Sequence, residues 1–372
     1  MKPLDLVNLC YIWIKSYPSL RKTWKTTLDE RGKSLRVNYG HQTVPGLQEH
    51  VFGGLVKLQD LNGEFPHCLD SPNIVYFVSS ALPYFPVRIA CMAKRSGAKL
   101  VVNQNGVAYP GWFGKGWEAQ NRTMAKLHAM ADYVFYQSNF CKVSAERFLG
   151  KRQNNASEIL YNPVDTDHFC PLHDSQTAQD AIVLLLSGSH WTRYRVNAAL
   201  ETLSRVRRKN DRVMLKIAGR FCWCSDERLA ETEVKEYVAQ LGLTGAVSIT
   251  GTYTQADAPS LFNSCSILLH TKYNDPCPRL VVEAMSCGLP VVYSATGGVA
   301  ELVGGDGGIG VEGPLDWEKD HPPDPQLLAD AVLQVVDSID RFRVSARKRA
   351  VEKFDKKPWL LRHAEIFHGF GM

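Results

Sequence analysis

The sequence lacks several features that mark other classes of protein. No apolar run approaches the ~20 residues that a membrane-spanning helix needs, and the first residues lack the uninterrupted apolar stretch of a signal peptide. The 10 cysteines include no Cys-x-x-Cys pair, so reduced thiols are expected rather than disulfides or a zinc site. A net charge of +5 is far from that of the strongly basic domains that bind nucleic acid. A cytoplasmic protein without a nucleic-acid partner is therefore expected.

The chain contains enough apolar residues to form two hydrophobic cores. Its 372 residues are 45% hydrophobic and 22% charged, the composition of a globular protein. With ~150 residues in an ordinary domain, this length predicts two domains. A turn-rich segment followed by a polar stretch at 173–179 indicates the boundary. We expect an N-terminal domain over 1–172, a second domain over 173–355, and a C-terminal helix over 356–372 that packs back on the first domain.

Strand-like apolar runs alternate with helical patterns along both predicted domains. The predicted strands are 35–39, 74–79, 99–103, 133–137, 182–187, 213–218, 247–250, 267–270 and 290–294. The glycine-rich segment 304–313 is predicted to be a loop. Alternation of this kind is typical of a parallel sheet covered by helices, so the predicted fold class is α/β.

The N-terminal residues 4–25 combine an apolar stripe with basic side chains. The stripe consists of Leu4, Val7, Tyr11 and Ile14, with Trp13 beside it and Lys15, Arg21, Lys22 and Lys25 following. The pattern fits a helix packed on its own domain, and it also fits a peripheral anchor at the inner face of a membrane. The sequence leaves both interpretations open.

The segment from Asp275 to Glu283 shows the clearest sign of chemistry. Pro276 and Pro278 forbid a helix before Arg279, so Asp275 is expected on a loop and Glu283 about one turn inside a helix. The free N–H groups and positive end of such a helix receive phosphate, while flanking carboxylates accept hydrogen bonds from hydroxyl groups. The pattern therefore predicts a site for a phosphorylated, hydroxyl-bearing ligand.

Together with Gly297-Gly298-Val299-Ala300-Glu301, this segment closely resembles the family-four glycosyltransferases, which carry Glu, seven residues and Glu, and later Gly-Gly-x-x-Glu. The resemblance implies the GT-B architecture, two Rossmann-like domains facing across a cleft, and retaining transfer from a nucleotide diphosphate sugar. It implies that Asp275, where the family has Glu, contacts the donor sugar and that Glu283 contacts the ribose. Leu280, Gly297, Gly298 and Glu301 complete the donor site implied there. No metal or other cofactor is expected.

The cations that this family places on the donor diphosphate are absent from the matching positions. Aligning Gly188 puts Ser189 and Tyr194 where the family has Arg and Lys. A leaving diphosphate needs positive charge against it. The nearby candidates are Arg193, Arg195, Lys272 and Arg279. We expect the first and last of these to act in catalysis with Asp275, and the other two to bind the donor beside Gly188.

In the first domain, Gly53-Gly54 resembles the family's glycine turn, where the backbone approaches the diphosphate and the acceptor. Asn105 follows a predicted strand and fits either a contact to a sugar hydroxyl or a turn beside Gly106. The nearby aromatic residues Tyr109, Trp112 and Trp117 fit an acceptor-stacking surface and loop packing equally well.

Structural roles are expected for four further residues near these segments. Ser138 is predicted to cap a helix and Asn162 to form a turn. His190 and His270 have no metal-ligand spacing and are expected to be core or surface residues rather than metal ligands.

The sequence thus predicts a hexosyltransferase that moves a sugar from a UDP- or GDP-sugar to a glycan, lipid or other hydroxyl acceptor, in cell-surface or polysaccharide biosynthesis. Two alternatives remain. A non-catalytic protein that binds sugar nucleotides is compatible with the altered cation positions. A nicotinamide-dependent oxidoreductase would need Gly-x-Gly-x-x-Gly between a strand and a helix, which Gly53-Gly54 does not supply.

Overall fold

A computed structural model describes residues 15, 17–25, 34–46, 49, 51, 53–154, 156–172 and 181–371. The predicted N-terminal apolar stripe and the polar stretch 173–179 lie outside the described residues. Within them, no helix has the length and apolar character needed to cross a membrane.

Strands and helices alternate along most of the described chain. The first half contains β1 (Val37–Asn38), α1 (Gly54–Glu64), β2 (Ile74–Val78), α2 (Pro86–Arg95), β3 (Lys99–Gln104), α3 (Pro110–Phe113), α4 (Trp117–Met130), β4 (Tyr133–Tyr136), α5 (Asn139–Phe148) and β5 (Ser157–Ile159). The second half contains β6 (Ile182–His190), α6 (Arg193–Arg207), β7 (Val213–Phe221), α7 (Glu227–Gln240), β8 (Val247–Gly251), α8 (Ala258–Asn263), β9 (Ile267–His270), α9 (Arg279–Ser286), β10 (Val291–Ser294), α10 (Val299–Val303), β11 (Gly308–Val311), α11 (Pro325–Asp337), α12 (Ile339–Phe354) and α13 (Lys356–His368).

The described chain divides into two compact units. The first unit comprises the described residues up to 109, residues 113–160 and those from 358 onward; the second unit comprises 110–112 and 161–357. The first unit holds a five-stranded parallel sheet in the order β1-β2-β3-β4-β5. All of β2 is buried, as expected for a parallel strand covered on both faces. Ser138 caps α5 as predicted, because its Oγ accepts a hydrogen bond from the Cys141 N–H at 3.0 Å.

The C-terminal helix α13 belongs to the core of the first unit. Trp359 and Phe367 are buried there with Phe135 of β4. His363, fully buried between them, lies 2.8 Å from the Trp359 carbonyl through Nδ1 and 3.0 Å from the Tyr76 hydroxyl through Nε2. Since a carbonyl only accepts, Nδ1 carries the proton and Nε2 accepts from Tyr76. Burial lowers the pKa of His363 to about 3, and the carbonyl contact offsets this only in part.

The second unit holds a six-stranded parallel sheet in the order β11-β10-β9-β6-β7-β8. Counted from the β8 edge, the unit's own strands follow the order third, second, first, fourth, fifth, sixth, which is the doubly wound Rossmann arrangement. The direction of strand addition reverses between β6 and β9. In such sheets ligands bind at the carboxyl ends of the strands that flank this switch point.

The chain enters and leaves the second unit side by side. The Val164 N–H donates to the Phe354 carbonyl at 2.8 Å, and the Lys356 N–H donates to the Val164 carbonyl at 2.9 Å. The Arg347 guanidinium of α12 secures the same region, donating to the carbonyls of Phe169 and Ser286, each at 2.8 Å.

The prediction of a loop throughout 304–313 is wrong, because β11 forms within it and pairs with β10. Gly308 lies so close to the Val291 backbone that it has no room for a Cβ. Gly308, which in the sequence suggests a loop, is therefore required for β11 to pack closely against β10.

Candidate functional site

Three predicted donor-site residues meet at the switch point between β6 and β9. Gly188, near the end of β6, has a φ of +115°, in the region that favours glycine. A Cβ on Gly188 would lie 3.8 Å from the Leu280 Cδ2 and 3.9 Å from the Arg195 Nη2. Gly219 of β7 packs against the Gly188 backbone without room for a Cβ. Gly188 thus allows a close backbone approach between β6 and β7, with an arginine beside it.

Arg195 lies in the first turn of α6 and is only 5% exposed. Its Nη1 donates to the Ser189 carbonyl at 2.8 Å, while its Nε has no acceptor among the described residues. Burial lowers the pKa of Arg195 and Asp275 raises it, but a guanidinium stays charged in proteins. A buried cation with an unsatisfied N–H is costly unless an anion completes its shell. Arg195 therefore has the properties of an anion-binding residue.

Asp275 anchors a buried charge cluster at the end of β9. Its Oδ2 lies 3.2 Å from the His270 Nε2 and 3.2 Å from the Lys272 Nζ. Burial alone would raise the pKa of Asp275, but Lys272, His270 and Arg195 together hold it well below the ordinary value. Burial lowers the pKa of His270 more than Asp275 raises it, so this imidazole is neutral at neutral pH. The two cations Lys272 and Arg195 outweigh the single Asp275 carboxylate, so the cluster has a net positive charge, which suits a diphosphate.

The loop that carries Asp275 is held by the Gly297-Gly298 turn. Gly297 forms an isolated parallel bridge with Asp275, and the Gly298 N–H donates to the Asp275 carbonyl at 2.8 Å. Gly297 has a φ of +76°, and a Cβ there would lie 2.5 Å from the Asp275 carbonyl oxygen. Asn274 is also left-handed, with a φ of +49°, and its N–H donates to the Thr296 Oγ1 at 2.9 Å. The glycine pair thus shapes the position of Asp275.

The N-terminus of α9 lies next to this cluster. Its N-cap residue, Pro278, supplies no side-chain hydrogen bond. Glu283, 3% exposed, accepts a hydrogen bond from the Arg279 Nε at 2.9 Å across one helical turn. Burial, with a further contribution from Glu283, raises the pKa of Tyr253 to about 12, and the Tyr253 hydroxyl lies 2.8 Å from the Ser187 Oγ. Leu280, beside Gly188, and Glu283, near the Tyr253 that contacts Ser187, therefore lie at the same end of β6.

Other residues singled out in the second unit make contacts of their own. The Arg193 side chain is 51% exposed and pairs with Glu233 of α7 at 3.4 Å, whereas Arg195, two residues on, points into the protein. The Tyr194 hydroxyl accepts from the Tyr273 N–H at 3.0 Å. The Glu301 Oε2 accepts from the hydroxyl of Tyr161 at 3.3 Å. The expectation that Arg193 faces the diphosphate finds no support in these contacts.

The predicted residues of the first unit follow β1 and β3 along the chain. Gly53, with a φ of +53°, precedes α1, and a Cβ on Gly54 would lie 2.7 Å from both the Val78 Cγ1 and the Ser80 Oγ. Gly54 is thus required for close packing against the end of β2. The Asn105 N–H donates to the Ser79 Oγ at 2.9 Å, and the Asn105 Oδ1 has no partner among the described residues.

His270 is a buried core residue, as expected, and it faces the Asp275 carboxylate. Its place as the last residue of a strand just before that loop was the available signal for this contact. One expectation needs correction. Asn162 does not form a turn, since its Nδ2 donates to the Cys277 carbonyl in the loop before α9. His190 is buried, as expected, and burial lowers its pKa to about 3.

An Asp-x-Asp sequence, of a kind that can bind divalent ions, lies at Asp165-Thr166-Asp167, and the expectation of no metal did not take it into account. Asp165 pairs with Lys356 at 2.6 Å and Asp167 with Lys357 at 2.9 Å. No group of three or more His, Cys, Asp or Glu side chains suited to a metal ion occurs within the described part of the chain. In this arrangement both carboxylates are compensated by lysines.

The two parallel α/β units have the GT-B fold of glycosyltransferases. HepE of Anabaena, solved in complex with UDP, matches 84% of this chain over 81% of its own with a TM-score of 0.65 and 19% sequence identity. The sucrose-phosphate synthase of Thermosynechococcus elongatus also has a TM-score of 0.65, at 14% identity, covering 90% of this chain and 87% of its own.

Residues 173–349 match the family described as glycosyl transferases group 1. The D-inositol 3-phosphate glycosyltransferase of Salinispora tropica is 32% identical over 103 residues, which are 27% of this chain and 21% of that protein. The D-inositol 3-phosphate glycosyltransferase 2 of Catenulispora acidiphila is 26% identical over 245 residues, 56% of this chain and 55% of its own. The chain thus spans between a fifth and about half of the length of these relatives. The match to the glycosyl transferases group 1 family thus lies within the second unit.

Proposed function

We propose that the protein transfers a hexosyl group from a UDP- or GDP-sugar to a hydroxyl group of a glycan or lipid acceptor, with retention of configuration, in cell-surface or polysaccharide biosynthesis. The observation that carries the proposal is the buried Arg195, whose Nε has no acceptor among the described residues, beside Gly188 of β6 at the switch point. A nucleotide diphosphate matches this site in charge, and the α9 N-terminus adds further N–H donors. The UDP held by HepE supports the choice of ligand.

In this mechanism the second unit compensates the charge of the leaving diphosphate. Arg195 and Lys272 oppose the charge that develops as the bond between the anomeric carbon and the phosphate oxygen breaks. The new bond to the acceptor oxygen forms on the same face, and the acceptor proton passes to the leaving phosphate oxygen. No protein base or metal ion is assigned, so transfer is expected to persist in EDTA.

The carboxylates have different roles in the proposal. Asp275 is buried, and its Oδ2 is engaged by His270 and Lys272, which leaves the other oxygen to accept from a donor-sugar hydroxyl. Glu283, oriented by Arg279, accepts from the ribose hydroxyls. The carboxylate of Asp275 therefore acts chiefly by holding cations in place, and that of Glu283 by binding the nucleoside.

The test is a comparison of Arg195→Met with Arg193→Met by titration calorimetry against UDP, GDP and their sugar derivatives. Loss of a charge-assisted contact of about 1.5–3 kcal/mol predicts about 10- to 100-fold weaker nucleotide binding for Arg195→Met. Arg193→Met is the matched control, because Arg193 is an exposed arginine two residues before Arg195. This variant is expected to bind nucleotide within about twofold of wild type. Equal affinity of the two variants, with folding intact by circular dichroism, would contradict the proposed site.

Turnover and stereochemistry need a second assay. Incubation of the donor that binds most tightly with alkyl glycosides, oligosaccharides and lipid-linked sugars is expected to release nucleoside diphosphate and to give a glycoside of unchanged anomeric configuration by NMR. Tight binding without turnover on any acceptor would favour the non-catalytic alternative, and an inverted product would refute retention.

A further inference from the structure

The three aromatic residues singled out after β3 have separate environments. Tyr109 is buried and stacks on Phe148 with ring centroids 5.9 Å apart. Trp117 packs edge-on against the same ring at 5.3 Å. Tyr109 and Trp117 thus pack against Phe148 within the first unit. Trp112 differs, because its side chain is 48% exposed.

The backbone around Trp112 belongs to the second unit and is fixed by contacts within it. The Gly111 N–H donates to the Trp317 carbonyl at 2.8 Å. A Cβ on Gly111 would lie 2.7 Å from the Lys319 backbone nitrogen, so only glycine allows this approach. An exposed indole on a fixed backbone presents a surface at little conformational cost to a ligand.

The indole of Trp112 also contacts the charge cluster. The Lys272 Nζ lies 6.0 Å from the centre of the Trp112 ring, within the range of a cation–π interaction, and 3.2 Å from the Asp275 Oδ2. A single lysine therefore links the exposed ring to the buried carboxylate.

We propose that Trp112 is the stacking platform for a pyranose ring held next to Asp275. The apolar C–H face of a pyranose packs on an aromatic ring, while its hydroxyl groups remain available to the carboxylate. This inference rests on the proposed function. It assigns Trp112 as a residue that determines how tightly the site binds the pyranose. The pyranose can be the hexosyl group of the donor or a sugar of the acceptor, and the two sources are separated by experiment.

The test uses full-length Trp112→Ala and Trp112→Phe, with Phe113→Ala as the matched control. Phe113 is the next residue of α3 and is 44% exposed, but it belongs to the first unit, whereas the ring that Lys272 approaches is that of Trp112. The first arm measures Kd for UDP or GDP and for the corresponding nucleotide sugar without acceptor. The second arm measures KM for a sugar acceptor at saturating donor.

If the donor sugar stacks, Trp112→Ala weakens nucleotide-sugar binding about tenfold and leaves nucleoside diphosphate binding within about twofold. If the acceptor sugar stacks, donor binding is unchanged and the acceptor KM rises about tenfold. In either case Trp112→Phe recovers most of the loss and Phe113→Ala matches wild type.

Two outcomes would overturn the assignment: wild-type behaviour of Trp112→Ala in both arms, or an equal loss of diphosphate and sugar-nucleotide binding. Failure of the wild-type protein to bind any nucleotide would instead refute the proposed function from which the inference starts.

Discussion

Replacing Gly297 by alanine tests whether the glycine turn fixes the loop that carries Asp275. At a φ of +76° an alanine costs about 1–2 kcal/mol. Its Cβ would lie 2.5 Å from the Asp275 carbonyl oxygen, and the backbone shift that relieves this contact costs about 1–3 kcal/mol. Lower entropy of the unfolded chain returns about 0.4–1 kcal/mol. The expected net loss of stability in the second unit is about 3 kcal/mol.

The assay is equilibrium urea unfolding of Gly297→Ala and Gly305→Ala beside wild type. Gly305 is the matched control, because a Cβ there meets nothing within 4 Å and its backbone is not left-handed. We expect Gly305→Ala to stay within about 0.5 kcal/mol of wild type. Gly297→Ala should also bind nucleotide more weakly, since Asp275 and Lys272 move with the loop. Equal unfolding midpoints for the two variants would refute the steric reasoning.

Three further predictions concern buried charge and hydrogen bonding. The pKa of His363 is about 3 in the folded state and 6.5 in the unfolded chain. Below pH 6.5 the unfolded chain therefore binds a proton that the folded state does not, and the free energy of unfolding falls by about 1.4 kcal/mol for each pH unit. Urea unfolding at pH 7, 6 and 5 checks this, and the slope should flatten in His363→Gln. Lys272→Met removes a cation 3.2 Å from Asp275 and should weaken UDP or GDP binding about tenfold with a smaller salt dependence by calorimetry; an unchanged salt dependence would count against it. Arg347→Lys loses the planar fork that reaches several carbonyls, and should lower the free energy of unfolding by about 2 kcal/mol, whereas an unchanged urea midpoint would contradict that role.

The α/β class and most strands could be predicted from the sequence because buried parallel strands are continuous apolar runs. The entry to α9 could be predicted as well, since Pro276 and Pro278 restrict the backbone locally and the helix begins at Arg279. The Gly297-Gly298 turn was equally visible, because its glycines answer a local backbone requirement.

What the sequence did not reveal depends on contacts between distant residues. Whether Arg193 or Arg195 points inward is decided by the rotation of α6 on the sheet, which places one beside Glu233 and the other beside Ser189. The role of His270 depends on a loop that returns the Asp275 carboxylate to the end of β9. Both are matters of tertiary packing, which residue spacing alone does not determine.

The adjacent entry and exit of the second unit have a consequence for folding. The core of the first unit requires Trp359 and Phe367, which are synthesised only after all of 161–357. The sequence of the second unit is thus inserted within that of the first. During translation, the sheet of the first unit cannot complete its core until α13 has been synthesised. Variants that slow folding of the second unit should therefore prolong exposure of the apolar surface that α13 covers, and aggregation should originate there.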